Sequence, residues 1–181
     1  GQYATRINGS YLFHSVPYYK KNVKTVETVE YNKLGSQASL GCVRLTVADA
    51  KWIYDNCRIG TKVVINDKKQ LEKPLYLPIK ISTENKSGWD PTDPDKRNPY
   101  YPNISVKSDN AVIPLGSDFE PLSCVEVSSP VSTEEELQET LTVKGKVNTM
   151  KSGKYTLTYS VKDPRTELTT IKKITFTVSA P

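Results

Sequence analysis

The stretch running from residue 85 to residue 102, NKSGWDPTDPDKRNPYYP, sets four prolines among eighteen residues and shows no hydrophobic period. Proline fixes φ, lacks an N–H and biases the residue before it away from the helical region. Neither a helix nor a central strand can run through such a segment, so the chain must reorganise there. The residues before it and after it also differ in pattern. The expected organisation is therefore one domain over residues 1–76, a linker or loop over 77–102 and a second domain over 103–181.

The later part alternates. NISVK, LTVKGKV, KYTLTYSVKD and IKKITFTVS are β-rich runs separated by turns. In KYTLTYSV, Tyr155, Leu157, Tyr159 and Val161 alternate with Thr156, Thr158 and Ser160. That is the pattern of a strand with one face on a core and the other in water. STEEELQET, residues 132–140, is expected to be a helical turn or an acidic connection. A β-sandwich of roughly a hundred residues accommodates these strands. The run GKVNTMKSGKYTLTYSVKD and the closing KKITFTV resemble the bacterial immunoglobulin-like modules of surface proteins, over about residues 103–179. Such modules are spacers or binding platforms, so the resemblance implies no catalysis in this part.

The earlier part is mixed. SYLFHSV, residues 10–16, reads as a short strand entering a turn at Pro17, and the polar residues 17–33 read as a loop or hairpin. Thr46 opens a helix: its hydroxyl can cap the first turn, and Asp49 lies three residues on. Val47, Ala50, Ile53 or Tyr54, and Cys57 follow at helical spacing, which places Cys57 in the core. Gly60 is expected to end the helix and TKVVIND to form a strand. The expected class is mainly β with one helix (α+β). Trp89, Tyr100 and Tyr101 pin the Pro-rich loop to a sheet or form a stacking patch.

Composition removes several classes. No apolar run approaches the roughly 20 residues of a membrane span. Residues 1–76 hold 12 Lys and Arg against 6 Asp and Glu, and the rest hold 13 against 14. The basic half is either an ordinary solvated surface or suited to an anionic polymer. No helix-turn-helix, aromatic-basic RNA motif or zinc spacing points to nucleic acid. The three cysteines, Cys42, Cys57 and Cys124, and the single histidine, His14, fit no metal site. No metal or cofactor is expected. Cys57 and Cys124 read as buried reduced thiols, although a bridge between them is an alternative.

Cys42 and His14 are the minimum set for a thiolate nucleophile and its base. A free thiol is only a few per cent ionised near neutral pH, and an imidazole remedies this by taking the proton. In SLGC, Gly41 permits a tight turn, and the amides of Gly41 and Cys42 can point together at a developing oxyanion. The bland alternative is a small core cysteine and a satisfied strand histidine.

FHS followed by LGSQASLGCVRLTVADAKWIYDN resembles the active-site signature of the L,D-transpeptidase catalytic domain, the YkuD-like family. The likeness covers residue 3 to about residue 66. It implies a cysteine acyltransferase of bacterial peptidoglycan. Cys42 would attack the carbonyl of the third residue of a stem peptide, expel D-alanine and pass the acyl group to the amine of another stem, forming a three-to-three cross-link. With water as acceptor the reaction is a carboxypeptidase side activity. The resemblance further implies His14 as base, with Ser15 beside it where a backbone carbonyl orients the imidazole. It places Gly41 at the oxyanion pocket, Arg44 on substrate or in the loop, and Ser39 as a loop hydrogen-bonder. It implies acylation by carbapenems and a place in the wall or on the surface of a bacterium, Gram-positive by expectation.

Leu40 stands where the family usually has a second histidine. The family also leads one to expect further strands before His14, supplied by a partner or another segment. Both departures favour a second reading, a non-catalytic wall-binding or adhesive surface protein with an incomplete transpeptidase domain. Sortases, another cysteine transpeptidase class, carry a Thr-Leu-x-Thr-Cys motif that is absent here.

Overall fold

The computed structural model describes residues 1–66, 78–107 and 111–180. The chain divides into two compact units, Gly1–Asn98 and Pro99–Pro181. Strands outnumber helices along the chain, most clearly in the second unit, with three α-helices among the described residues where one was expected.

In the first unit, β1 (Thr5–Asn8) and β2 (Tyr11–Ser15) form an antiparallel hairpin. It turns at Gly9, whose φ of 54° lies in the left-handed region that glycine enters without penalty. The polar residues 17–33 form a bridge between Tyr18 and Val26, a 3-10 turn, β3 (Val26–Glu27) and one turn of helix, α1 (Thr28–Tyr31). β4 (Val43–Leu45) then pairs in parallel with β2, placing Arg44 opposite His14.

Helix α2 (Val47–Asn56) begins as its sequence predicts, with the Thr46 hydroxyl accepting the Asp49 N–H at 3.1 Å. It ends sooner than expected. Asn56 turns its amide back onto the Trp52 carbonyl at 2.8 Å. Cys57 is an extended C-cap residue, half-buried outside the core. Val47 and Ala50 on the helix are fully buried, as are Val16 and Val26.

Two expectations need correction. TKVVIND forms no strand over residues 61–66 (Asp67 lies outside the described residues), and Val63, Val64 and Ile65 are 42, 69 and 76% exposed. A β-branched run without a neighbouring strand or a face to bury gains little from its propensity.

The linker expected over 77–102 is also not free: its residues 78–98 belong to the first unit. β5 (Ser87–Gly88) pairs with β3, and Ile79, Ile81, Asp90, Thr92, Asp93 and Asn98 are buried. Here the prolines serve a chain whose hydrogen bonds run through side chains. Asp90 Oδ2 accepts the Val47 N–H at 2.9 Å, and Thr92 Oγ1 accepts the Ala48 N–H at 3.0 Å. The amides that open α2 are thus capped from more than forty residues away.

In the second unit, β6 (Asn103–Val106) pairs with β8 (Val125–Ser128). A four-stranded sheet runs β7 (Val112–Pro114), β11 (Thr169–Ser179), β10 (Gly153–Lys162), β9 (Thr142–Lys144), with β7 parallel to β11. The alternation holds: Leu157, Tyr159 and Val161 are fully buried, and Phe119 meets Phe176 edge-on at 5.2 Å. The acidic run becomes α3 (Glu134–Gln138) behind a Thr133–Glu136 capping box. Asp163 is buried and accepts the hydroxyls of Ser129 and Ser132 and the N–H groups of Arg165 and Thr166. It joins the hairpin between β10 and β11 to the loop before α3. Cys124 is buried and free, its thiol donating to the Glu120 carbonyl at 3.3 Å.

Candidate active site

The pairing of β2 with β4 decides which side chains meet. Paired residues of adjacent strands point to one face, and alternation carries that face from Arg44 back to Cys42. His14 and Cys42 accordingly line one cleft of about 360 Å³, with Ser10, Tyr11, Leu40 and Arg44.

The imidazole is held from behind. His14 Nδ1 lies 2.6 Å from the Ser15 carbonyl oxygen. A carbonyl can only accept, so Nδ1 carries the proton and the lone pair of the neutral ring sits on Nε2. Ser15 is fully buried and is itself clamped: its N–H donates to the Gln2 carbonyl at 3.0 Å, and its hydroxyl accepts the Gln2 N–H at 2.7 Å. Gly1 fits against this pair so closely that a Cβ there would stand 2.4 Å from the Ser15 oxygen and 2.7 Å from Nδ1.

The thiol does not bond the imidazole in this arrangement. Cys42 Sγ donates to the Ser10 carbonyl at 3.8 Å, and no hydrogen bond joins it to His14. Nucleophile–base contacts are often loose before substrate binds.

The loop carrying Cys42 is shaped by Ser39 and Gly41. Ser39 Oγ accepts the Gly41 N–H at 3.1 Å and donates to the Cys42 carbonyl at 2.5 Å. The Gly41 amide, expected at an oxyanion pocket, is therefore engaged within the loop. Gly41 has φ of 143°, and a Cβ there would lie 2.2 Å from the ring of Tyr11. Only glycine fits.

Arg44 Nη1 donates to Glu30 Oε2 at 2.5 Å, and Lys33 meets the other carboxylate oxygen at 2.5 Å. Hydrogen bonds from Lys33 and Arg44 hold the Glu30 carboxyl below its ordinary range. A second cleft, of about 450 Å³, runs from Glu30 and Lys33 along residues 34–39 to Cys42 and Arg44. Cys42 thus lines both clefts, with Ser39, Gly41 and Arg44. Leu40 is fully exposed beside it.

Residues 1–65 match the L,D-transpeptidase catalytic domain, YkuD. Residues 104–176 match the bacterial surface protein Ig-like domain. A Bacillus subtilis (strain 168) protein described as "Putative L,D-transpeptidase YciB" is 54% identical over 59 residues. That alignment covers 33% of this chain, and the chain spans only 29% of the relative's length. The L,D-transpeptidase match contains both clefts, His14, Cys42 and the clamp at Ser15.

It stops short of residues 78–98, and the sequence reading missed what that segment contributes. Burial of Asp90 pushes its carboxyl up to about 6, against the hydrogen bonds from Thr92 and Val47. Asp93, buried nearby, accepts a hydrogen bond from the Gln2 side chain at 2.7 Å. A usable signal did exist in DPTDPD, whose repeated Asp positions favour side-chain-to-backbone turns. Gln2 and Glu30 carry no such mark.

Proposed function

We propose that the first unit is a cysteine L,D-transpeptidase acting on peptidoglycan stem peptides, in the wall or at the surface of a Gram-positive bacterium. The observation that carries this reading is the pinned imidazole. With Nδ1–H held by the Ser15 carbonyl, Nε2 is the free base in the cleft that Cys42 also lines. Sγ–H gives its proton to Nε2, and the thiolate attacks the carbonyl carbon of the third stem residue. The tetrahedral oxyanion collapses, the bond to D-alanine breaks, and the departing amine takes the proton from Nε2. The side-chain amine of a second stem then attacks the thioester, loses a proton to Nε2, and leaves a three-to-three cross-link and free Cys42. Water in place of that amine gives trimming. The two clefts that Cys42 lines offer room for donor and acceptor. The basic surface of this part suits an anionic wall.

Intact mass after exposure to a carbapenem tests the reading. The unmodified protein gains the adduct mass, and Cys42→Ala and His14→Ala lose it; an adduct that survives in Cys42→Ala overturns the assignment. The direction of the thiol, toward Ser10 and not His14, favours a second reading, a wall-binding protein without catalysis. That reading requires binding to purified sacculi with an unchanged muropeptide profile.

A further inference from the structure

We propose that Gln2 and Asp93 are positioning residues for His14, acting through Ser15 to fix the tautomer and direction of the imidazole. The inference rests on the transpeptidase reading for its consequence, and on the hydrogen-bond geometry alone for its existence.

The path is continuous. Gln2 Nε2 donates to Asp93 Oδ2 at 2.7 Å and to the Tyr18 hydroxyl at 2.8 Å. The main chain of the same residue makes both hydrogen bonds to Ser15, and the Ser15 carbonyl accepts His14 Nδ1–H. Asp93 is fixed in turn. Its Oδ1 accepts the Asp95 N–H at 2.9 Å, its own N–H donates to the Asp90 carbonyl at 3.1 Å, and its carbonyl accepts from Asn98 Nδ2 at 2.8 Å. Asp93 is only 3% exposed.

Burying a carboxylate without a charged partner is costly unless donors satisfy it. Here the donors it uses are a backbone amide and the one side chain whose main chain clamps the residue behind the base. The backbone at Ser15 sets where the carbonyl points, and it is held on one side by pairing with Leu45 of β4 and on the other by the two bonds from residue 2. Any residue but proline at position 2 can make the two backbone bonds. Only a side-chain donor can tie position 2 to Asp93 and Tyr18. The segment that supplies Asp93 lies outside the L,D-transpeptidase match, so residues 78–98 belong to the working site as well as to the fold.

The single histidine makes the test clean. Ring nitrogen resonances of a 15N-histidine sample come from His14 alone, and they distinguish an Nδ1–H from an Nε2–H imidazole. Recorded where the ring is neutral, the unmodified protein is expected to show the Nδ1–H tautomer. Gln2→Met keeps the volume and the backbone bonds and removes the donors. It should mix the tautomers and slow carbapenem acylation of Cys42 by roughly 10- to 100-fold, the scale of a small misplacement of a catalytic group.

Gln2→Glu sets two carboxylates face to face and should do the same. Adding Asp93→Asn reverses the polarity of the pair and should restore both tautomer and rate. An unchanged tautomer and rate in folded Gln2→Met overturns the proposal, as does failure of the double variant to restore what Gln2→Glu lost. If Gln2→Met does not fold, the polarity-reversed pair decides alone. If no variant, nor the unmodified protein, is acylated, the transpeptidase reading falls, and the tautomer measurement still decides this one.

Discussion

The Asp90 carboxylate accepts the N–H of Val47 at 2.9 Å, forty-three residues apart in sequence. The contact ties the Pro-rich segment to the first turn of α2, the helix that follows Cys42 and β4 directly. A loop that looks like a spacer is in this way part of the scaffold behind the candidate nucleophile.

Burial of that carboxyl, against the pull of the contact itself, carries a pH dependence. The Asp90 carboxyl is at about 6 in the folded protein and 3.8 ordinarily, so between those values the folded state binds the extra proton. Its contribution to stability is whole below pH 3.8 and is lost as pH rises through about 6. The shift corresponds to about 3 kcal/mol. Both tryptophans, Trp52 and Trp89, lie in the first unit, so their fluorescence follows its unfolding. In the difference between the unmodified protein and Asp90→Asn the other carboxylates cancel. The unmodified protein should lose denaturant resistance relative to the variant from pH 4 to about 6.5, and the gap should then stay constant.

Gly41→Ala should disable the site with a smaller effect on the fold. Its φ of 143° strains any residue with a Cβ, and that Cβ would stand 2.2 Å from the half-exposed Tyr11 ring, so the loop or the ring must give way. Both line the cleft with Cys42. Stability should fall by about 1–3 kcal/mol, the cost of a strained backbone position. Carbapenem acylation should fall about 100-fold or more, as expected when the geometry around a nucleophile shifts by an ångström. Fluorescence unfolding and adduct mass measure the two separately.

Much of this was legible beforehand, and the reason differs from place to place. The start of α2 was readable because Thr46 and Asp49 cap it locally, and β10 because strict alternation has one structural solution. Cys42 and His14 were readable only through the motif around them, since 28 residues of separation fix no distance. Val63–Ile65 misled because propensity cannot create a pairing partner. Asp93 and Gln2 were invisible because their bond spans 91 residues, and nothing local requires it. The role of Glu30 was hidden for the same reason: its partner Arg44 becomes a neighbour only when β4 lies alongside β2.

Arg44 and Glu30 offer a test of whether the guanidinium serves the loop or the substrate. Each side chain is about one fifth exposed, 21% and 23%, so the pair lies between surface and core. A double-mutant cycle with Arg44→Ala and Glu30→Ala should give a coupling of about 1 kcal/mol in unfolding. If anchoring the loop is the whole role, acylation rates should fall equally in both single variants and no further in the double. A loss confined to Arg44→Ala would place the guanidinium on the substrate carboxylate.

In the second unit, Asp163→Ala should be severe. It removes the acceptor of two hydroxyls and two backbone amides at a buried position, where unsatisfied donors are expensive. The expected loss is about 3 kcal/mol or more. Hydrogen exchange of the β10 and β11 amides should report it, with the tryptophan transition of the first unit serving as the internal comparison.

Leu40 is the position at which the environment of the thiol can be changed without touching the fold. Its side chain is fully exposed at the rim of the cleft that holds Cys42, so it contributes no packing. A carboxylate there disfavours a thiolate and an ammonium favours one. At neutral pH and low ionic strength, Leu40→Asp should slow alkylation of Cys42 by iodoacetamide and Leu40→Lys should speed it, each by roughly threefold, the scale of a solvent-exposed charge interaction. Peptide mass separates Cys42 from Cys57 and Cys124. Molar salt should erase both effects, since exposed charges are screened within a few ångströms there. The fluorescence unfolding midpoint should stay the same in both variants. Equal loss of stability in the two would show instead that Leu40 is packed, and a rate that ignores the sign of the charge would show that the thiol does not sense this rim.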